Sequence, residues 1–148
     1  MSRATLTDDE ARALGERYNR HASARARMLG WMGDEQVAVV EDDVPGSDAN
    51  NDPPRMLLVY QHRHRRLATV APEWVIPDLR DAATRGAALE VVRERWGRPI
   101  FLMPDDASCR SWGAYTPGVE PEQVAEGASE EEALVAALEA CPKAPTRA

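Results

Sequence analysis

Between Thr7 and Leu29 the apolar positions Leu14, Tyr18, Ala22 and Met28/Leu29 recur at helical intervals, with Arg25 filling the gap. Arg12, Glu16, Arg20 and Arg27 fall on the opposite stripe. That spacing predicts an amphipathic helix over 7–29. Thr7-Asp8-Asp9-Glu10 has the form of a capping box for its start, and Gly30 offers a stop. The period then changes: Trp31–Glu35 reads as a turn leading into a strand over Gln36–Glu41. Acids, Gly, Asn and Pro crowd the acidic stretch 42–54, predicting a surface loop. Arg55–Gln61 is short, apolar on both faces and ends in Tyr60, which predicts a central strand covered by a helix. Leu67–Ala71 follows as its hairpin partner, with His62-Arg63-His64-Arg65-Arg66 in the turn, because a central strand does not bury five such residues in a row.

Pro72–Pro77 is a connector whose Trp74, Val75 and Ile76 are expected to plug the core edge. A second helix is predicted over 79–96, turning Leu89, Val92 and Trp96 toward the hairpin, and Gly97 stops it. Gly86 lies inside that helix, where glycine costs about 1 kcal/mol against Ala, a cost that is offset if another element needs close approach there. Pro99–Pro104 reads as a strand at a sheet edge, since Pro lacks a ladder donor. Residues 105–118 mix aromatics with turn formers and hold a weak strand around Ser111–Tyr115. Ser129 caps a third helix over 130–140, and Pro142 blocks its continuation. The sum is an α+β fold: one domain over 1–142, three helices packed on a short, mainly antiparallel sheet, and a flexible tail over 143–148.

A chain of 148 residues is long enough for one core without staples. Its two cysteines, Cys109 and Cys141, have no metal-ligand spacing, and a reducing compartment is the simpler expectation. The N-terminus runs into charged residues and no apolar run approaches the ~20 residues of a membrane span, so a cytoplasmic protein without membrane partners is expected. Acids exceed bases by 25 to 18, for a net charge of −7, which disfavours a protein that wraps nucleic acid through phosphate contacts. The acids concentrate in 34–52 and 120–132, segments suited to meeting a basic host or phage protein.

Reactive chemistry is sparse. His62-x-His64 is the only pair with metal-ligand spacing, and a catalytic ion there needs a third ligand, with Glu73 or His21 as candidates. The neighbouring Arg63, Arg65 and Arg66 oppose a cation and instead mark 62–66 as the candidate anion-binding turn, which Arg17 and Arg20 extend if the first helix packs beside it. His21 itself, four residues from Arg17, reads as a solvent-edge residue. Cys109 beside Arg110 lacks a partner base, and Asp105-Asp106 point apart as neighbours in a chain, so neither makes a catalytic constellation. The acidic loop lacks the D-x-[DN]-x-[DN]-G-x5-E pattern of a calcium loop, and no Gly-rich phosphate loop occurs. Tyr60 beside the basic turn is a faint form of an RNA-stacking arrangement.

Two stretches carry a resemblance. Asp78-Leu79-Arg80-Asp81-Ala82-Ala83-Thr84-Arg85-Gly86 opens the second helix, Val92-Arg93-Glu94-Arg95-Trp96-Gly97 ends it, and Glu126-Gly127 leads through Glu130-Glu131-Glu132-Ala133-Leu134 to Leu138-Glu139. Over 78–97 and 126–140 the chain resembles small uncharacterised proteins of phages and prophages of high-GC bacteria, which share D-L-x-D-x-A-T-x-G, V-R-E-x-W-G and E-G-x-x-E-x-E-A-L-x-x-A-L-E. Ala82 replaces their usual Pro, and Arg85 and Ala87 stand where apolar residues are commoner. The resemblance implies a fold neighbourhood and a phage origin, and no activity or cofactor. The reading is a non-enzymatic binding or accessory protein with no cofactor, no catalytic residue and no bound metal. Its alternatives are a metal-dependent enzyme using His62 and His64, and a nucleic-acid-binding module using 62–66.

Overall fold

A computed structural model describes residues 5–22, 27–41, 57–61, 66–70, 72–108 and 110–142, with 40, 41, 57–61, 66–70 and 72 described by their backbone path. The order is α1 (Asp8–His21), β1 (Met28–Met32), β2 (Glu35–Glu41), β3 (Leu57–Gln61), β4 (Arg66–Val70), a 3-10 turn (Pro72–Trp74), β5 (Ile76–Pro77), α2 (Ala82–Trp96), β6 (Phe101–Pro104), β7 (Trp112–Thr116), β8 (Glu122–Gly127) and α3 (Glu130–Glu139). The α+β class holds, but the strands form two antiparallel sheets, one ordered β4-β3-β2-β1-β5 and the other β6-β7-β8.

Local chemistry explains the helix starts. Thr7 and Glu10 complete the capping box, Glu10 N–H donating to Thr7 Oγ1 (3.2 Å) and Thr7 N–H to Glu10 Oε1 (3.1 Å). Asp81 caps α2 by accepting from Thr84 N–H, Ser129 caps α3 by accepting from Glu132 N–H, and Gly97 ends α2 in the left-handed conformation.

The first helix is shorter than its periodicity suggests. It ends at His21, and Met28–Met32 is a strand. Ala22 and Met28 are six positions apart, so the apolar stripe depends on Arg25 to bridge them, which a core face does not accept. The run Met28-Leu29-Gly30-Trp31-Met32 pairs instead with β2 through the two-residue turn Gly33–Asp34, where Gly33 has φ +63°. Gly30 is no helix stop: a Cβ there would overlap the Ile76 carbonyl of β5.

The hairpin expected around 55–71 is present as β3–β4, and β3 is an interior strand paired on both sides. The packing of α2 differs. Val92, with Leu89 and Trp96 against it, lies in a cluster with Leu14 and Tyr18 of α1, Leu134 and Leu138 of α3, and Ile100 and Ala114. Trp96 donates its indole N–H to the Ala137 carbonyl (2.8 Å), pinning α2 to α3. A smaller cluster, Met28, Val37, Val39 and Val75, lines the five-stranded sheet. One further expectation fails in part: Trp74 is 63% exposed rather than a plug, the neighbouring Val75 being the buried residue. Among the described residues nothing beyond the backbone of α2 itself lies within 4 Å of the place a Cβ on Gly86 would take. Strand β6 is the sheet edge its flanking prolines suggest, whereas β8 had no counterpart in the hydrophobic pattern.

Candidate functional site

The second sheet has two unlike faces. Opposed residues of antiparallel strands project to the same side, and the pairs Leu102↔Ala114 and Ala114↔Ala125 belong to the inner face, packed toward α3. The pairs Phe101↔Tyr115, Met103↔Gly113, Gly113↔Glu126 and Tyr115↔Gln123 place the other side chains outward. Among the described residues α3 is the helix that packs against all three strands, and it does so on the inner face.

The outward residues form an aromatic patch with an acidic border. The rings of Phe101 and Tyr115 lie 5.7 Å apart between centroids at 25° and Met103 is 42% exposed. Gly113 makes the arrangement possible, because a Cβ there would overlap the Tyr115 ring and approach Asp105. Tyr115 therefore leans back along its strand and donates its hydroxyl to Asp105 Oδ1. Asp105 is fixed in turn: its N–H donates to the Ser111 carbonyl (2.8 Å) and its Oδ2 accepts from Ser111 Oγ (3.0 Å). The hydrogen bond to Asp105 raises the Tyr115 phenol above its ordinary pKa, and the Glu126 charge adds to it. The phenol stays neutral and the face keeps two carboxylates beside two rings.

A second polar cluster is structural. Asp78, 3% exposed, holds Arg80 through Nε–Oδ1 and Nη2–Oδ2 bonds of 2.9 Å each, and Arg80 also reaches Asp8 (2.8 Å) and the Leu6 carbonyl (3.2 Å). Asp78, followed by Asp8, holds the Arg80 guanidinium further toward its charged form. Arg80 at 5.7 Å and Arg12 at 5.0 Å both lie over the buried Trp31 ring, and Arg12 faces Asp34 at 3.9 Å. These contacts tie α1, β1 and the entry to α2 together.

Of the sequence candidates, His62, Arg63, His64 and Arg65 lie outside the described residues, as do Cys109 and the acidic loop 42–54. Arg66 is placed by its backbone as the first residue of β4, opposite Gln61. Arg17 is engaged by Glu139 (Nε–Oε2 3.2 Å), with His21 Nε2 at 3.9 Å from the same carboxylate. Glu73 is exposed in the 3-10 turn, and Cys141 Sγ lies 3.3 Å from the Arg95 carbonyl. Part of the acidity of 120–132 is used internally: Arg85 faces Glu130 (3.7 Å) and Glu131 (3.5 Å), and Glu132 accepts from Ala128 N–H (3.4 Å). Among the described residues no three His, Cys, Asp or Glu side chains gather around a possible metal position. No described helix is long and apolar enough to cross a membrane.

The aromatic face escaped the sequence reading. Phe101 and Tyr115 are fourteen positions apart, and only the β6–β7 register joins them. The available signal was the alternation Gly113, Tyr115 against Trp112, Ala114, Thr116. No family model matches the chain, and no curated protein or solved structure matches it.

Proposed function

We propose that the protein is a non-enzymatic binding or accessory module, of the phage origin that the resemblance of 78–97 and 126–140 implies, and that it meets a basic protein through the outer face of β6–β8. The carrying observation is the half-buried Phe101–Tyr115 pair with exposed Met103 on the sheet face opposite α3, bordered by Asp105 and Glu126. Contiguous exposed apolar surface with a polar rim is a common mark of a partner site. Its acidic border and the net charge of −7 favour a basic partner and oppose a polyanion. The metal and nucleic-acid alternatives depend on 62–66, where Arg66 alone is placed, by its backbone. No described geometry argues for them.

Titration of the isotope-labelled protein with a basic, apolar-containing peptide tests this reading by NMR. Shifts should concentrate on 101–103, 113–115 and 123–126 and shrink at ~0.5 M salt, where the Debye length falls to about 4 Å. Shifts centred elsewhere, or none at millimolar peptide, refute it.

A further inference from the structure

The chain shows three times how it seats a guanidinium on an aromatic ring. Arg12 and Arg80 lie over Trp31, and Arg98 lies over Trp96 at 5.8 Å. On Trp31 each guanidinium is balanced by a carboxylate: Asp34 for Arg12, Asp78 and Asp8 for Arg80. The outer face of the small sheet repeats the components. Phe101 and Tyr115 present ring surface, Asp105 sits at the Tyr115 hydroxyl, and Glu126 shares the face. Among the described residues no arginine lies over either ring, and Glu126 has no hydrogen bond or ion pair.

We infer that this position receives an arginine side chain of the partner, its guanidinium over the Tyr115–Phe101 rings with N–H groups donating to Asp105 and Glu126. The inference deepens the proposed function and rests on it.

The chemistry favours arginine over the alternatives. A carboxylate has about four lone-pair directions, and Asp105 spends one on each oxygen, on Tyr115 and Ser111. Each oxygen keeps one for an incoming donor. A planar guanidinium can stack and donate sideways at the same time, whereas an ammonium is a strongly hydrated point charge that gains less from the ring. A nucleobase fits the rings, but its phosphates would face two carboxylates on a chain already at −7. A second copy of this chain brings the same excess of negative charge.

Two peptides of equal length and charge, one with Arg and one with Lys at its basic positions, distinguish these cases by calorimetry and NMR. The arginine peptide should bind about threefold or more tighter, with shifts at Phe101, Tyr115 and Glu126. Tyr115→Ala should weaken it by about 3- to 30-fold, the span expected for a cation on one aromatic ring. Glu126→Gln, an exposed change that leaves the fold intact, should weaken it severalfold. Tyr115→Phe, which keeps the ring, should retain the preference for arginine. Equal binding of both peptides at this face overturns the arginine assignment while leaving the basic-partner reading standing. Failure of both peptides to bind overturns both ideas, as does a labelled single strand binding here instead. Sedimentation showing that the chain covers this face with a second copy also overturns them.

Discussion

Replacing Gly86 with Ala should stabilise the protein, and the size of the gain follows from its surroundings. Gly86 is inside the 15-residue α2, exposed, and among the described residues nothing beyond the helix's own backbone lies within 4 Å of the position a Cβ would take. The methyl group neither fills a cavity nor meets an obstacle. What remains is the backbone: glycine in a helix interior costs about 0.8–1.0 kcal/mol against Ala, largely because its unfolded chain has more freedom to lose. For a chain of this size that corresponds to a rise in Tm of roughly 2–4 °C. In urea, with m near 1–3 kcal/mol/M, the midpoint should move up by roughly 0.3–1 M at unchanged slope. Circular dichroism melts and urea titrations of wild type and Gly86→Ala measure both. Gly15→Ala is the opposing control, because its Cβ would overlap the Pro77 carbonyl and the Ile76 side chain. It should cost about 1–3 kcal/mol. A neutral or destabilising Gly86→Ala refutes the reasoning and means that something does occupy that face of α2.

Two further substitutions test the ion pairs. Asp78→Asn removes a buried bidentate acceptor from Arg80, whose side chain is 23% exposed; water relieves part of the loss, so about 1–3 kcal/mol is expected in urea unfolding, and a neutral result contradicts the pairing. Arg17 holds the Glu139 carboxyl below its ordinary pKa, so the pair's contribution is full above about pH 4.3, the unfolded value, and fades as pH falls through the lower folded one. Partial exposure limits that contribution to under about 1 kcal/mol: Glu139→Gln should destabilise at pH 7 and match wild type near pH 2, and a difference that persists undiminished in acid denies the ion pair its role.

The parts of the fold legible from sequence are those decided within a few residues. The caps Thr7 and Ser129 and the stop Gly97 depend on local hydrogen bonds and backbone conformation, and they fix the start of α1, the end of α2 and the start of α3, whereas α2 starts at Ala82, three residues after the pattern suggests. Where the decision is tertiary, the pattern misleads. Met28–Met32 fits a helical stripe loosely, and becomes a strand because β2 and β5 both pair with it. Glu122-Gln123-Val124-Ala125-Glu126-Gly127 has little strand propensity, and its ladder with β7 makes it one. Trp74, large and apolar, has the character of a core residue, yet Val75 takes the interior and Trp74 is left exposed. The candidate site was illegible for the same reason: each of its residues is ordinary alone, and the sheet register supplies the combination.

The docking of α1 on α3 has a consequence for how the chain comes into being. Leu14 and Tyr18 share a cluster with Leu134 and Leu138, and Arg17 closes on Glu139, 122 positions away. During vectorial synthesis α1 is made before its wall and lacks it until α3 has been made, and α2 waits for the same wall to receive the Trp96 indole. Helices with an apolar face and no neighbour are sticky, so a chain stalled before residue 130 should be the form that proteases and chaperones capture. The small sheet lies between these elements in sequence and takes its inner cover from α3. Its outer face thus becomes a fixed surface only once α3 has been made, so engagement of the proposed partner would itself report that translation had run through residue 139.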